Sequence, residues 1–395
     1  MYTRLASLFF VSAIAAGCVS NAAAADSFTI KGFLPGIADS TKVNLVNVEG
    51  AEPKMIAEAI TTDGNFTLSG SVDMPSMCEM AFFQVRNKNS GFYRPLSSRI
   101  MVENSDIDVS YTLSLDSIAK INPFVVNEKF MKVSGSRSHD QFAEYLAKYA
   151  AAEENVKVIG LKHAGKWMET QNHPDTMAIY DKKKFEAEAG LAAAMRDFIA
   201  SHPAYHFSAY LTVKELSKIF AYTSDEIKAM VESVKACPDT ARVNFVCKAG
   251  ERAMKHCLGQ KFFDFNVDNT DGVARPMSSY VTPGKYTFID FWASWCSPCR
   301  AAIPHVRKLH EQYAGKLNVY SISCDEDKAD WDKAMSEEKM EWTQLRLNPE
   351  QIKEPSRAYA ISTIPRLILI DPAGRLVCST NRPIDIDVYL ENNLK

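Results

Sequence analysis

Apolar and polar residues alternate along the first part of the chain. Phe28 and Ile30, Val43 and Leu45, Phe66 and Leu68, Phe83 and Val85, and the run Ile107, Val109, Tyr111 each enclose a polar residue. Half-buried strands require this period of two, because successive side chains point to opposite faces of a sheet. Asp63-Gly64 falls between two such runs and predicts a hairpin turn. Residues 26–115 therefore read as short strands of an all-β, sandwich-like domain. No group of His, Asp and Glu in this stretch resembles a catalytic site, so its expected use is structural or in binding.

From about 116 to 257 the period becomes helical. Stretches 140–154, 175–201 and 225–234 are rich in Ala, Lys, Glu and Met. Thr223-Ser224-Asp225-Glu226 has the spacing of a capping box. Pro203 and Pro238 punctuate the segments, which read as helical hairpins. His163, His173, His202 and His206 are expected at surfaces or helix ends. From about 258 strands and helices alternate. Residues 286–292, 317–323 and 366–371 are nearly continuous apolar runs, as strands buried on both faces should be. Residues 297–314 and 328–339 look helical, Asp371-Pro-Ala-Gly374 is a turn, and 375–379 can return as an antiparallel strand. Alternation of this kind predicts an α/β sheet for 258–395.

The first 25 residues change the picture. Arg4 precedes a short apolar run from Leu5 to Ala16, and Ala23-Ala24-Ala25 follows. This pattern is that of a signal peptide, with cleavage expected after Ala25. Ala15-Ala16-Gly17-Cys18 also resembles a lipobox, with Ala15 where Leu is usual; on that reading Cys18 would carry a lipid anchor. Either reading places the body of the protein in the periplasm or cell envelope. Across all 395 residues the net charge is -3 and the basic residues are scattered. No basic stripe of the kind that binds nucleic acid is present.

Nine cysteines occur. In an exported protein they can persist as disulfides. Cys78, Cys237, Cys247, Cys257, Cys324 and Cys378 show no paired spacing and are expected to be buried apolar residues or occasional disulfide partners. Cys296 and Cys299 differ, since they form Cys-Ser-Pro-Cys at the end of an apolar strand. Pro298 suits the start of a helix, where its missing N–H is not needed. Cys296 then lies just before a helix N-terminus, where free N–H groups and the helix dipole favour an anion. That placement lowers the thiol pKa and activates the sulfur. Cys299 follows within the first turn and can close or resolve a disulfide. Half of a zinc site is the competing reading; no second CxxC exists to complete one. No metal or cofactor is expected.

Phe291-Trp-Ala-Ser-Trp295-Cys296-Ser-Pro298-Cys299-Arg300 resembles the active site of the thioredoxin superfamily, in particular the exported TlpA/ResA-type thiol–disulfide oxidoreductases. The resemblance covers about 258–395. It includes Ser362-Thr-Ile-Pro365, similar to the family's cis-proline loop, the 371–374 turn, and an insertion at 325–342 containing Trp331. It implies that Cys296 attacks, Cys299 resolves, Pro365 sets the Ile364 backbone beside the disulfide, and Trp295 shields the site and meets partners. Asp290 matches a buried acid whose raised pKa lets it exchange a proton with Cys299; it could equally be a strand residue satisfied by a hydrogen bond. Ala302 stands where many relatives carry an acid, while Arg300, Arg307 and Lys308 could favour the thiolate. The implied function is reduction of disulfides in client proteins, with electrons from a membrane partner. An oxidase or isomerase using the same sulfurs, and a binding or scaffold protein carrying this domain, are the alternatives.

Overall fold

The computed structural model describes residues 25–50, 52–83, 96–114, 117–118, 127–169 and 174–394. The leader and Cys18 lie outside the described residues, as does Val85.

Among the described residues eight strands form the N-terminal layers: β1 (Phe28–Phe33), β2 (Lys42–Asn47), β3 (Lys54–Ile60), β4 (Asn65–Gly70), β5 (Ser76–Phe83), β6 (Leu96–Val102), β7 (Asp106–Tyr111) and β8 (Met131–Ser134). They make two four-stranded sheets, β4-β1-β7-β8 and β3-β2-β5-β6. The alternating residues meet between them, with Ile30, Leu68 and Ile107 from one sheet against Val43, Leu45 and Phe82 from the other. Asp63 and Gly64 do form the expected tight turn: both have positive φ, and Thr62 and Asn65 exchange two hydrogen bonds of 2.9 Å. The ladder stops there, because β3 pairs with β2 and β4 pairs with β1. The turn is a local property; the choice of sheet is a tertiary one.

The second sheet is buried on both sides. Cys78, Met80, Ile100 and Val102 face the first sheet, whereas Met77 and Met101 pack into a cluster with the helical region. That region contains α1 (Arg137–Glu169), α2 (Pro174–Ser201), α3 (His206–Leu216), α4 (Ser224–Ser233) and α5 (Thr240–Ala253). The Thr223–Glu226 capping box is formed at the start of α4. Helix α1 runs well past the expected end at 154. Gly160 and Gly165 depress its intrinsic helicity, and packing against α2 supports it. Helix α3 had no signal because it is buried nearly all round, from Phe207 to Leu216, and so shows no apolar stripe.

Arg242 on α5 is fully buried and joins the β-layers to the helices. Its guanidinium bonds both carboxylate oxygens of Glu49, one at 3.0 Å, and also the carbonyl of Pro75. Arg99 on β6 makes a second tie, donating to Glu128 at 3.0 Å and to Glu153 on α1 at 2.7 Å.

The C-terminal part comprises β9 (Asn266–Asp268), β10 (Ala274–Pro276), β11 (Tyr286–Trp292), α6 (Ser297–Gln312), β12 (Leu317–Ser323), α7 (Lys328–Glu338), β13 (Thr343–Arg346), α8 (Lys353–Ala358), β14 (Arg366–Ile370), β15 (Leu376–Thr380) and α9 (Pro383–Asn393). They build a seven-stranded sheet, β10-β9-β13-β12-β11-β14-β15. Central β11 runs parallel to β12 and antiparallel to β14. It is covered on both faces: Phe288 and Trp292 pack with α6 and α9, and Ile289 and Phe291 pack with Phe265 and Tyr359. Strand β13 has only four residues and gave no signal. Helix α9 was hidden because Ile384, Ile386 and Val388 alternate with acids as a strand would; Pro383 starts a helix there instead. The chain is thus an N-terminal β-sandwich-like region, a helical middle and a C-terminal α/β domain.

Candidate active site

Strand β11 delivers the reactive segment to the end of the sheet. Its last residue, Trp292, is followed by a short turn and then α6. Cys296 is the N-cap residue of α6, in extended conformation, and its Sγ accepts the Cys299 N–H at 3.2 Å. Ser297 takes the first helical position and Pro298 the second, one residue later than the sequence suggested. Pro298 still fits, because the first-turn N–H groups have no partner within the helix. Pro304 lies inside α6.

Cys296 and Cys299 are joined as a disulfide with an S–S distance of 2.03 Å. Both residues are almost covered, at 4 % and 1 % exposure, whereas Trp295 beside them is 71 % exposed. An indole that open is not packing the core. It presents apolar surface to whatever approaches the sulfurs. The Ile364–Pro365 peptide bond is cis. The Ile364 carbonyl oxygen stands 3.8 Å from Cys296 Sγ. The other six described cysteines are free thiols, and Cys78, Cys237 and Cys257 among them are buried.

Asp290 sits on β11 two residues from both Phe288 and Trp292, so it shares their face, the one covered by α6 and Cys299. It is 1 % exposed. Burial pushes its carboxyl up to about 7, opposed by the hydrogen bond from Ser321. The indole N–H of Trp342 donates to Ser321 Oγ at 2.9 Å, and Ser321 Oγ donates to Asp290 Oδ2 at 3.2 Å. Asp290 Oδ1 has no partner among the described residues. A proton on Asp290 removes the cost of an unpaired buried charge.

This raised pKa links stability to pH. Between about pH 4 and about pH 7 the folded chain holds a proton on Asp290 that the unfolded chain has released. Stability attributable to this residue therefore falls as pH rises through that window and levels off above it. A shift of about three units corresponds to on the order of 4 kcal/mol. D290N should abolish this slope. Denaturant unfolding of both proteins across the window tests it, with the difference between them as the readout, since Asp387 is also raised, to about 6. Parallel pH profiles would refute the assignment.

A second buried acid, Asp325, was not singled out by sequence. It is 2 % exposed and accepts the backbone N–H of Ser294 at 3.0 and 3.1 Å, Ser294 Oγ at 2.7 Å and Ser323 Oγ at 2.7 Å. It clamps the turn that carries Cys296. Nothing local marks it, because its partner Ser294 lies one strand away. Two of the three cations expected near the cysteines are engaged elsewhere: Arg300 pairs with Glu337 and Glu338 at 2.8 and 2.7 Å, and Arg307 bonds the carbonyls of Glu338 and Lys339. Their charge is spent on tying α6 to the end of α7.

Beside the disulfide opens a cavity of about 980 Å³. One side is formed by Trp295, Pro298, Pro304, Ile364 and Pro365; the other by His163 of α1 and Asp181 and Lys184 of α2. His163 was read as a surface or helix-end histidine. It is instead paired with Asp181 at 2.6 Å and turned toward the cleft.

Residues 284–376 match a family model described as thioredoxin-like, and residues 28–142 match a domain of unknown function. A probable nucleoredoxin 3 from Oryza sativa subsp. japonica is 29 % identical over 122 residues, which is 30 % of this chain and 25 % of that protein. The thiol-disulfide oxidoreductase ResA of Geobacillus thermodenitrificans is 24 % identical over 139 residues, covering 34 % of this chain and 77 % of ResA. The crystal structure of the thioredoxin domain of a thiol-disulfide oxidoreductase from Bacteroides vulgatus superposes with a TM-score of 0.33 and 28 % identity, over 35 % of this chain and 98 % of that one. This chain thus spans about a quarter of the length of the nucleoredoxin. The C-terminal part of the protein is a thioredoxin-like domain, homologous to the ResA-type thiol–disulfide oxidoreductases.

Proposed function

We propose that this protein is an exported thiol–disulfide oxidoreductase that reduces disulfides in client proteins through Cys296 and Cys299. One observation carries the reading: two cysteines joined in a disulfide at the N-cap of α6, beside an open cleft. In the reduced protein the Cys296 thiolate is favoured by the Cys299 N–H and the helix terminus. It attacks a client disulfide, forming a mixed disulfide and releasing one client thiolate. Cys299 then loses its proton and attacks Cys296 Sγ. The Cys296–client bond breaks, the second client sulfur leaves as a thiol, and the internal disulfide forms. Two electrons pass from the protein to the client. Asp290, titrating near neutral pH on the face beneath Cys299, exchanges the Cys299 proton. Pro365 holds the Ile364 backbone against the sulfur, and Trp295 meets the client.

Turnover requires a dithiol donor to return the electrons; in an exported protein this is a membrane partner. Export rests on the leader pattern of residues 1–25, with the lipobox at Cys18 as the alternative attachment. Among the described residues no helix is long and apolar enough to cross a membrane. In this reading the β-layers, which run past the expected limit at 115 to β8, and the helices that follow are packed together through Met77, Met101 and the Arg242–Glu49 pair, and jointly hold and present the redox domain 258–395.

Equilibration with glutathione redox buffers, with the 296–299 disulfide quantified by alkylation, tests the direction. A potential more negative than about -180 mV is expected of a reductant. A value near -120 mV would make the protein an oxidant and overturn the reductive half of the reading.

A further inference from the structure

The two walls of the cleft have different origins and different charge. The wall from the redox domain presents Trp295, Pro298, Ala301 and Ile364 to the cavity, with the uncharged polar residues Ser294, Ser297 and Asn381 beside them. Its cations are committed: Arg300 to two glutamates, and Arg382 to Asp385 at 2.6 Å and to Glu188. The opposite wall comes from the α1–α2 hairpin, far earlier in the chain. There His163 and Asp181 satisfy each other at 2.6 Å. Lys184 is placed differently. Its Nζ lies 4.0 Å from Glu188 Oε1, the limit of an ion pair, and the other oxygen of Glu188 is taken by Arg382. The Lys184 side chain is 33 % exposed. Of the three cations lining the cleft, its charge is the least compensated.

We propose that the α1–α2 hairpin is the outer wall of the client cleft, and that Lys184 selects extended polypeptide segments bearing a carboxylate side chain beside the disulfide to be reduced. This rests on the redox reading above. An extended segment alternates its side chains. When one set packs on Trp295 and Pro298, the other faces the hairpin and meets Lys184. The electron exchange itself is unchanged; Lys184 contributes charge complementarity to client binding. The sequence offered no sign of it, because nothing in α2 announces that it will fold over Cys296.

The test uses the full chain, prereduced, with two synthetic disulfide peptides that differ only in Glu or Gln next to the cysteine. Wild type should reduce the Glu peptide about fivefold faster in kcat/KM, as one partly exposed ion pair allows. K184Q should reduce both alike, K184E should prefer the Gln peptide, and all three proteins should reduce hydroxyethyl disulfide, which is uncharged, at one rate. Equal rates for both peptides in wild type, or a preference that persists in K184Q, would overturn the role of Lys184 and leave the redox reading standing. A wild-type protein that reduces neither peptide nor hydroxyethyl disulfide would overturn both.

Discussion

Replacing Cys299 by Ser should leave Cys296 covalently attached to its clients, while replacing Cys296 by Ser should trap nothing. The asymmetry follows from the geometry. Only Cys296 occupies the N-cap position, receives the Cys299 N–H, and lies between two residues, Trp295 and Ser297, that line the cleft. Cys299 is inside the first turn of α6 and is 1 % exposed, so its route to a client runs through Cys296. Both substitutions should reduce turnover of a protein disulfide by about a thousandfold or more, because nucleophile and resolver act as one unit whose losses do not add. The discriminating measurement is therefore the adduct and not the rate: mass spectrometry of non-reduced protein should show mixed disulfides in C299S alone. Equal trapping by both variants would invert or abolish the assignment of attacker and resolver.

Replacing Arg242 by Ala should destabilise the chain by about 3–5 kcal/mol, the penalty of breaking a buried ion pair and stranding its partner. Glu49 would keep the backbone N–H of Met77 at 2.5 Å but lose its guanidinium, and the Pro75 carbonyl would lose its donor. Arg242→Met with Glu49→Leu should recover much of that loss, since a well-packed apolar pair avoids the desolvation cost of the ions. Because Arg242 sits on α5 and Glu49 follows β2, the loss should appear in the β-layers and the helices together. Denaturant unfolding followed by hydrogen exchange checks this. Single-variant stability within about 1 kcal/mol of wild type would show the clamp to be dispensable. Reduction of hydroxyethyl disulfide should persist in the variant at temperatures where it remains folded, because the clamp is remote from Cys296.

Much of the redox centre was legible along the chain because its determinants are neighbours in sequence. A doubly buried strand, a turn, and a helix with Pro298 in its first turn put Cys296 at a helix terminus by local geometry alone, and the Cys-Ser-Pro-Cys spacing then brings Cys299 within reach. Where local propensity and tertiary packing agreed, as in β11, α2 and the capped α4, the periodicity of apolar residues identified the element. Where packing overrode pattern it failed: α3 has no polar face, α9 alternates like a strand, and the Asp63–Gly64 turn joins strands of different sheets.

The chain by itself determined the Cys296–Cys299 pair at a helix start, the class of fold around it and the alternating strands that precede it, since each depends on residues within a few positions of one another. Tertiary structure alone decided the clamp of Asp325 on Ser294, the pairing of Arg242 with Glu49 and the presence of His163, Asp181 and Lys184 across from Trp295. The physical reason is common to all three. Desolvation and ion pairing depend on which groups surround a side chain, and those groups come from segments that meet only when the sheets and helices pack.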